Sequence, residues 1–141
     1  QRETGGFTEF VPLPFVHMEA PLYRRGRARP GPTWREARLM YAVSRLVLHP
    51  LIPNIQASWT KLGETGAAQM LQAGVNDLGG TLMNESITRA AGGENGQCLD
   101  AEALTRLAAE VGRPVRQRTT LYGDAPTKEH THAATGLQGV G

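Results

Sequence analysis

The chain has 141 residues, 40% hydrophobic and 20% charged, with a formal net charge of +2 and an isoelectric point near 9.0. This composition is that of a folded chain and excludes a disordered one. The small positive excess is too weak to argue for nucleic acid, and no run approaches the roughly 18 apolar residues a membrane-spanning helix needs.

The length fits one domain. A single cysteine, Cys98, leaves no internal disulfide framework and no multi-cysteine metal site within the chain, so a cytoplasmic, reducing compartment is expected. The amino terminus lacks the basic-then-apolar layout of a secretion signal. Residue 1 is glutamine, and an extended segment follows almost at once, so the chain is expected to be a piece of a longer polypeptide.

In chain order, residues 7–15 (FTEFVPLPF) predict a strand that Pro12 and Pro14 end. Residues 16–32 read as a long loop in which Arg24, Arg25, Arg27 and Arg29 are solvated. Thr33 and Glu36 form a capping box before a helix that carries Leu39, Val43, Leu46 and Val47 at helical spacing up to Pro50. Residues 54–58 (NIQAS) predict a second strand, and residues 63–74 a short helix closed at Gly74. A third strand, 75–83, contains the pair Gly79 and Gly80. Asp100 caps a last helix with Leu104, Leu107, Ala108 and Val111 on one face and Gly112 and Pro114 behind it. From Asp124 the chain is a polar tail, expected to be flexible, and it includes His130 and His132.

Strand, helix, strand, helix, strand, helix is the order of an α/β chain with parallel strands and crossover helices. In the second strand Ile55 and Ala57 point one way, while Asn54, Gln56 and Ser58 point the other. Buried parallel strands are usually apolar throughout, so this polar face either lines a site or caps neighbouring strand ends. An arc of a barrel whose lumen holds a ligand would need such a face.

Four blocks in order, TGGFTEFVPLPF, HMEAPLY, NIQASWTKLG and GVNDLGGTLMNESI, resemble the C-terminal part of the radical S-adenosylmethionine enzymes of deazaflavin biosynthesis, the tyrosine-coupling (CofH-type) half of FO synthases. The resemblance runs from about Thr4 to Tyr122. It implies that residues 1–122 are the last three βα units of a (β/α)8 radical S-adenosylmethionine barrel, with 123–141 as the tail. It also implies an S-adenosylmethionine cofactor and a 4Fe-4S cluster, whose CxxxCxxC ligands lie outside this chain. The chemistry implied is cleavage of S-adenosylmethionine to a radical that fragments tyrosine, with transfer of its hydroxybenzyl unit to 5-amino-6-(D-ribitylamino)uracil. The partners implied are those two substrates and the remainder of the barrel, fused to or accompanied by a second synthase half, with no nucleic acid and no membrane. With only three units the chain alone is expected to be inactive.

On that resemblance, Gln56, Ser58 and Asn54 are candidates to face the uracil substrate, and Lys61, just beyond the strand, could meet a carboxylate. Lys61 is equally a surface lysine by its type. Glu9 and His17 are candidate catalytic groups, since a strand carboxylate must be paired and a histidine can move protons. A structural hydrogen bond is the alternative for His17. Asn76, Asp77, Gly79, Gly80 and Thr81 are candidates for the cofactor site, because paired strand glycines admit a close ligand or form a bulge. No metal ligand is assigned within the chain. Two other functions compete: a menaquinone-pathway enzyme with a futalosine-type substrate, and a non-catalytic α/β module that binds a partner.

Because Cys98 stands alone, the isolated chain should not assemble an iron–sulfur cluster. Anaerobic reconstitution followed by iron and sulfide analysis checks this, and a stoichiometric cluster would refute it.

Overall fold

A computed structural model describes residues 1–81, 87–93 and 98–126, with Ile87 and Arg89 as backbone only. Among these residues the regular elements are helices: α1 (Pro21–Arg24), α2 (Trp34–Leu48), α3 (Trp59–Leu71), α4 (Ile87–Ala90) and α5 (Ala101–Glu110). The expected strands contract to paired residues, Phe10 with Ile55 and Gln56 with Asp77, both parallel. The order expected from the sequence survives, with residues 54–57 between the other two segments. What is lost is length. Pro12 and Pro14 have no N–H to donate, which stops the first segment just past Phe10. Residues 82–86, the end of the third expected strand, lie outside the described residues, as do 127–141 with His130 and His132.

The central segment is bonded on both sides. Phe10 N–H donates to Asn54 O at 2.9 Å and Gln56 N–H to Phe10 O at 3.0 Å. On the other side Asn76 N–H donates to Ile55 O at 3.1 Å and Ala57 N–H to Asp77 O at 2.9 Å. Ile55 and Ala57 are fully buried against the helices. They join Ala37 and Tyr41 of α2, Met70 and Leu71 of α3, Val75 and Ala108 in one apolar cluster. Trp59, Ala67, Ala68, Leu99 and Leu107 form a second cluster, where α3 packs on α5.

α2 begins as its sequence requires. The Thr33 hydroxyl accepts from Glu36 N–H, and the Glu36 carboxylate accepts from Thr33 N–H. Its buried side is not the large apolar one, however. Ala37, Tyr41 and Ser44 are buried, whereas Leu39, Val43, Leu46 and Val47 are exposed, Leu46 to 81%. Ala37 and Tyr41 pack in one cluster with Ile55 and Ala57, and the Tyr41 hydroxyl donates to Pro12 O at 3.1 Å.

Three further departures are local. The loop 16–32 contains the short α1, started by Pro21 at its first turn. α3 starts at Trp59, ahead of the expected start, and is interrupted at Gly63, whose φ of 72° and ψ of 171° are not helical. After α5, Asp124 pairs antiparallel with Arg118 and forms an ion pair with Arg116. α5 follows the expectation, with the Asp100 carboxylate accepting from Ala103 N–H at 2.8 Å.

Burial pushes the Tyr41 phenol from its ordinary 10.0 to about 12. The folded state therefore holds this proton more tightly than the unfolded state. Its stabilising contribution is complete below pH 10 and is lost as the pH rises towards 12. Tyr41→Phe in the complete protein should cost about 1 kcal/mol at neutral pH through the lost hydrogen bond. It should also flatten the fall in stability at high pH, as read by urea denaturation at pH 7 and pH 11.

Candidate functional site

The polar face expected of residues 54–58 divides between two ends of the sheet. At the amino ends, Asn54 Nδ2–H donates to Thr8 O at 2.9 Å, and Asn76 Oδ1 accepts from Ile55 N–H at 2.8 Å. Arg45 of α2 completes this end with bonds to Gly74 O at 2.7 Å, Pro53 O at 2.6 Å and Asn76 Oδ1 at 2.7 Å. These groups tie strand ends together, so Asn54 and Asn76 stand away from the opening their expected roles require.

At the carboxyl ends a cleft of about 240 Å³ opens, lined by Gln56, Ala57, Ser58, Trp59, Thr60, Leu78, Gly79, Gly80 and Thr81. Five of the sequence candidates, Gln56, Ser58, Gly79, Gly80 and Thr81, thus meet in one place. Trp59 and Thr60 are additions that the strand period could not supply, because they lie where the chain turns into α3. The Trp59 indole N–H donates to Gly80 O at 3.1 Å, and the Ser58 and Thr60 hydroxyls lie 3.0 Å apart.

The two glycines differ in kind. Gly79 has φ of +76°, so its backbone favours glycine, and a Cβ there would sit 2.9 Å from Gln56 Nε2, which would have to move aside. Gly80 would carry a Cβ with nothing within 4 Å. Among the described residues, none occupies the space over Gly80.

Glu9 and Asp77 come together through two residues that the sequence reading passed over. Asp77 pairs with Gln56 and shares its face, and Glu9 lies on the same face because its neighbour Phe10 packs into the core. Arg118 Nη2 is 2.5 Å from Asp77 Oδ2 and 3.9 Å from Glu9 Oε2. The Tyr122 hydroxyl contacts both Asp77 Oδ2 and Glu9 Oε2. A phenol has one proton and can donate fully to only one of these oxygens at a time. Burial, followed by the bonds to Asp77 and Glu9, raises the Tyr122 phenol well above the ordinary tyrosine range. The Arg118 guanidinium also stacks 4.1 Å from the centre of the Tyr122 ring. Tyr122 adopts a φ of 64°, a left-handed conformation that costs a non-glycine residue about 1 to 3 kcal/mol and persists only where its surroundings enforce it. Only a donor pair four residues apart, beyond the last helix and between the turn formers Pro114 and Gly123, could have signalled this segment.

The remaining candidates lie elsewhere. His17 Nδ1 accepts from Gly31 N–H at 3.0 Å, and its ring stands edge-on to Tyr23 at 4.6 Å, so it holds the loop before α2. Lys61 is half-buried and donates to the buried Thr88 hydroxyl. Cys98 is exposed, and among the described residues no three His, Cys, Asp or Glu side chains are grouped to hold a metal ion. No helix among them is long and apolar enough to cross a membrane.

Similarity to known proteins is extensive. The chain is 56% identical over 134 residues to FO synthase of Streptomyces avermitilis, covering 95% of this chain and 16% of that protein. It is 55% identical over 122 residues to FO synthase of Mycobacterium tuberculosis, covering 86% and 14% respectively. It is also 57% identical over 122 residues to the 5-amino-6-(D-ribitylamino)uracil--L-tyrosine 4-hydroxyphenyl transferase of Methanopyrus kandleri, covering 86% of this chain and 33% of the other. The chain therefore spans a third or less of the length of these relatives. No solved structure matches it. Residues 4–131 match the family described as the CofH/MqnC C-terminal region, and this chain belongs to that family.

Proposed function

We propose that the chain forms one wall of the active site of a tyrosine-coupling FO synthase, as the last part of a radical S-adenosylmethionine barrel. The single observation that supports this most is the cleft at the carboxyl ends of two neighbouring parallel segments, where a barrel enzyme carries its chemistry. The names of the relatives give the reaction: transfer of a tyrosine-derived hydroxyphenyl group to 5-amino-6-(D-ribitylamino)uracil. They favour this over a futalosine-type substrate.

In this reading the Gln56 amide offers a donor and an acceptor to the uracil edge, a pairing that one side chain can make in a single plane. The hydroxyls of Ser58, Thr60 and Thr81 add contacts to the polar ribityl chain. Trp59 fixes the Gly80 carbonyl, which keeps the open Gly80 surface facing the cleft. On this reading that surface would receive S-adenosylmethionine, whose sulfonium cleavage at an iron–sulfur cluster would supply the reactive radical. The cluster would be held by residues outside this chain. Ala57, Trp59 and Leu78 give this wall of the cleft its apolar part. Lys61 and His17 act in the scaffold, through their bonds to Thr88 and Gly31.

In the complete enzyme, Gln56→Ala should weaken binding of the ribitylaminouracil about tenfold, the value of one or two lost hydrogen bonds, while leaving 5′-deoxyadenosine formation near the wild-type rate. Equal loss of both, or of neither, would remove Gln56 from the substrate contacts. The glycines separate similarly. Gly79→Ala should lower stability by about 1 to 3 kcal/mol through its left-handed backbone. Gly80→Val should fold with an unchanged melting temperature yet lose S-adenosylmethionine cleavage about a hundredfold, because the branched side chain occupies the space for the ligand. A fully active Gly80→Val enzyme would take the cofactor off this surface.

A further inference from the structure

One carboxylate faces two ways in this structure. Asp77 Oδ2 receives Arg118 and Tyr122, while Asp77 Oδ1 accepts from Gly79 N–H at 2.8 Å. Gly79 in turn lies directly against the Gln56 amide. An unbroken path of contacts therefore leads from the segment behind α5 to the wall of the cleft. Asp77 is 7% exposed at its side chain and Arg118 is 23% exposed, so the path lies largely out of water, where charge-assisted hydrogen bonds are strongest.

We propose that Arg118 and Tyr122 are positioning residues for the cleft: by clamping Asp77 they hold the turn at Gly79, and with it the Gln56 amide, in the geometry that binds the ligand. The identity of that ligand rests on the function proposed above; the clamp itself does not. Three independent features support the clamp. Tyr122 is held in a left-handed backbone conformation, which requires surroundings that over-determine it. Its ring is stacked by the guanidinium that also binds Asp77. Finally, the Asp77 bond to Gly79 N–H closes a turn of three residues, so any swing of the carboxylate moves the turn with it.

The test uses the complete reconstituted enzyme and its Tyr122→Phe, Arg118→Leu, Arg118→Lys and Glu9→Gln variants. Amide hydrogen exchange is read at residues 77–81, against α2 as an internal reference. Binding of 5-amino-6-(D-ribitylamino)uracil is measured by calorimetry. Tyr122→Phe and Arg118→Leu should each speed exchange at 77–81 about tenfold relative to α2, as expected for loss of one charge-assisted bond, and weaken uracil binding in step. Arg118→Lys keeps a cation for Asp77 and should restore most of the protection. Glu9→Gln weakens the acceptor that competes with Asp77 for the Tyr122 proton and removes no bond to Asp77, so it should exchange no faster than the wild type. Unchanged exchange at 77–81, equal acceleration at 77–81 and α2, or a Glu9→Gln effect as large as that of Tyr122→Phe would overturn the clamp. A wild-type enzyme that binds no uracil would instead overturn the substrate reading, and the exchange ratios would still decide the clamp.

Discussion

The register of residues 54–57 between their two neighbours governs everything else in the molecule. Four backbone hydrogen bonds, two on each side, set this central segment against Phe10 and against Asn76 and Asp77. Side chains alternate along an extended chain, so this register sends Ile55 and Ala57 to the helices and Gln56 to the opposite face with Asp77. A slip of one residue would bury Gln56 and expose Ile55. Such short pairing needs reinforcement, and Arg45 provides it. Its guanidinium reaches carbonyls or side chains on both sides of the joint, at Pro53, Gly74 and Asn76, and Asn76 passes the constraint to Ile55 N–H.

The division of labour along the sheet follows from this reinforcement. The amino ends are occupied by bonds among Thr8, Asn54, Asn76 and Arg45, which leave those groups little capacity for a ligand. At the carboxyl ends the backbone diverges into α3 on one side and the glycine pair on the other, and the diverging chains leave a cleft between them. Polar residues of similar type therefore do different things a few residues apart. Asn54 fastens strands, and Gln56 borders open space.

The face opposite the helices is closed in part by the segment after α5. Glu9 and Asp77 both point to that face, and two carboxylates there would repel each other if left alone. Arg118 and Tyr122 supply a cation and a phenol proton between them. This arrangement spans 113 residues of sequence from Glu9 to Tyr122. It depends entirely on the three-segment sheet already being in register.

The sequence by itself determined much of the local structure and the family. The Thr33–Glu36 capping box, the Asp100 cap and the breaks at Pro12, Pro14 and Gly112 act over a few residues, so their effect is legible without a fold. The four blocks read as CofH-type agree with the family and relatives found by comparison. The parallel order of the three extended segments also followed from the alternation of elements, although their length did not, because pairing depends on partners remote in sequence. Periodicity picked out Leu39, Val43, Leu46 and Val47 on α2, yet the structure buries Ala37, Tyr41 and Ser44. An apolar stripe states that a face can be covered, and only the tertiary structure decides which face lies close enough to the sheet. In the same way, residue type marked Asn54, Gln56 and Asn76 alike as polar. Which of them meets Arg45 and which meets the cleft was decided by contacts across long stretches of chain, and a sequence pattern carries no record of those distances.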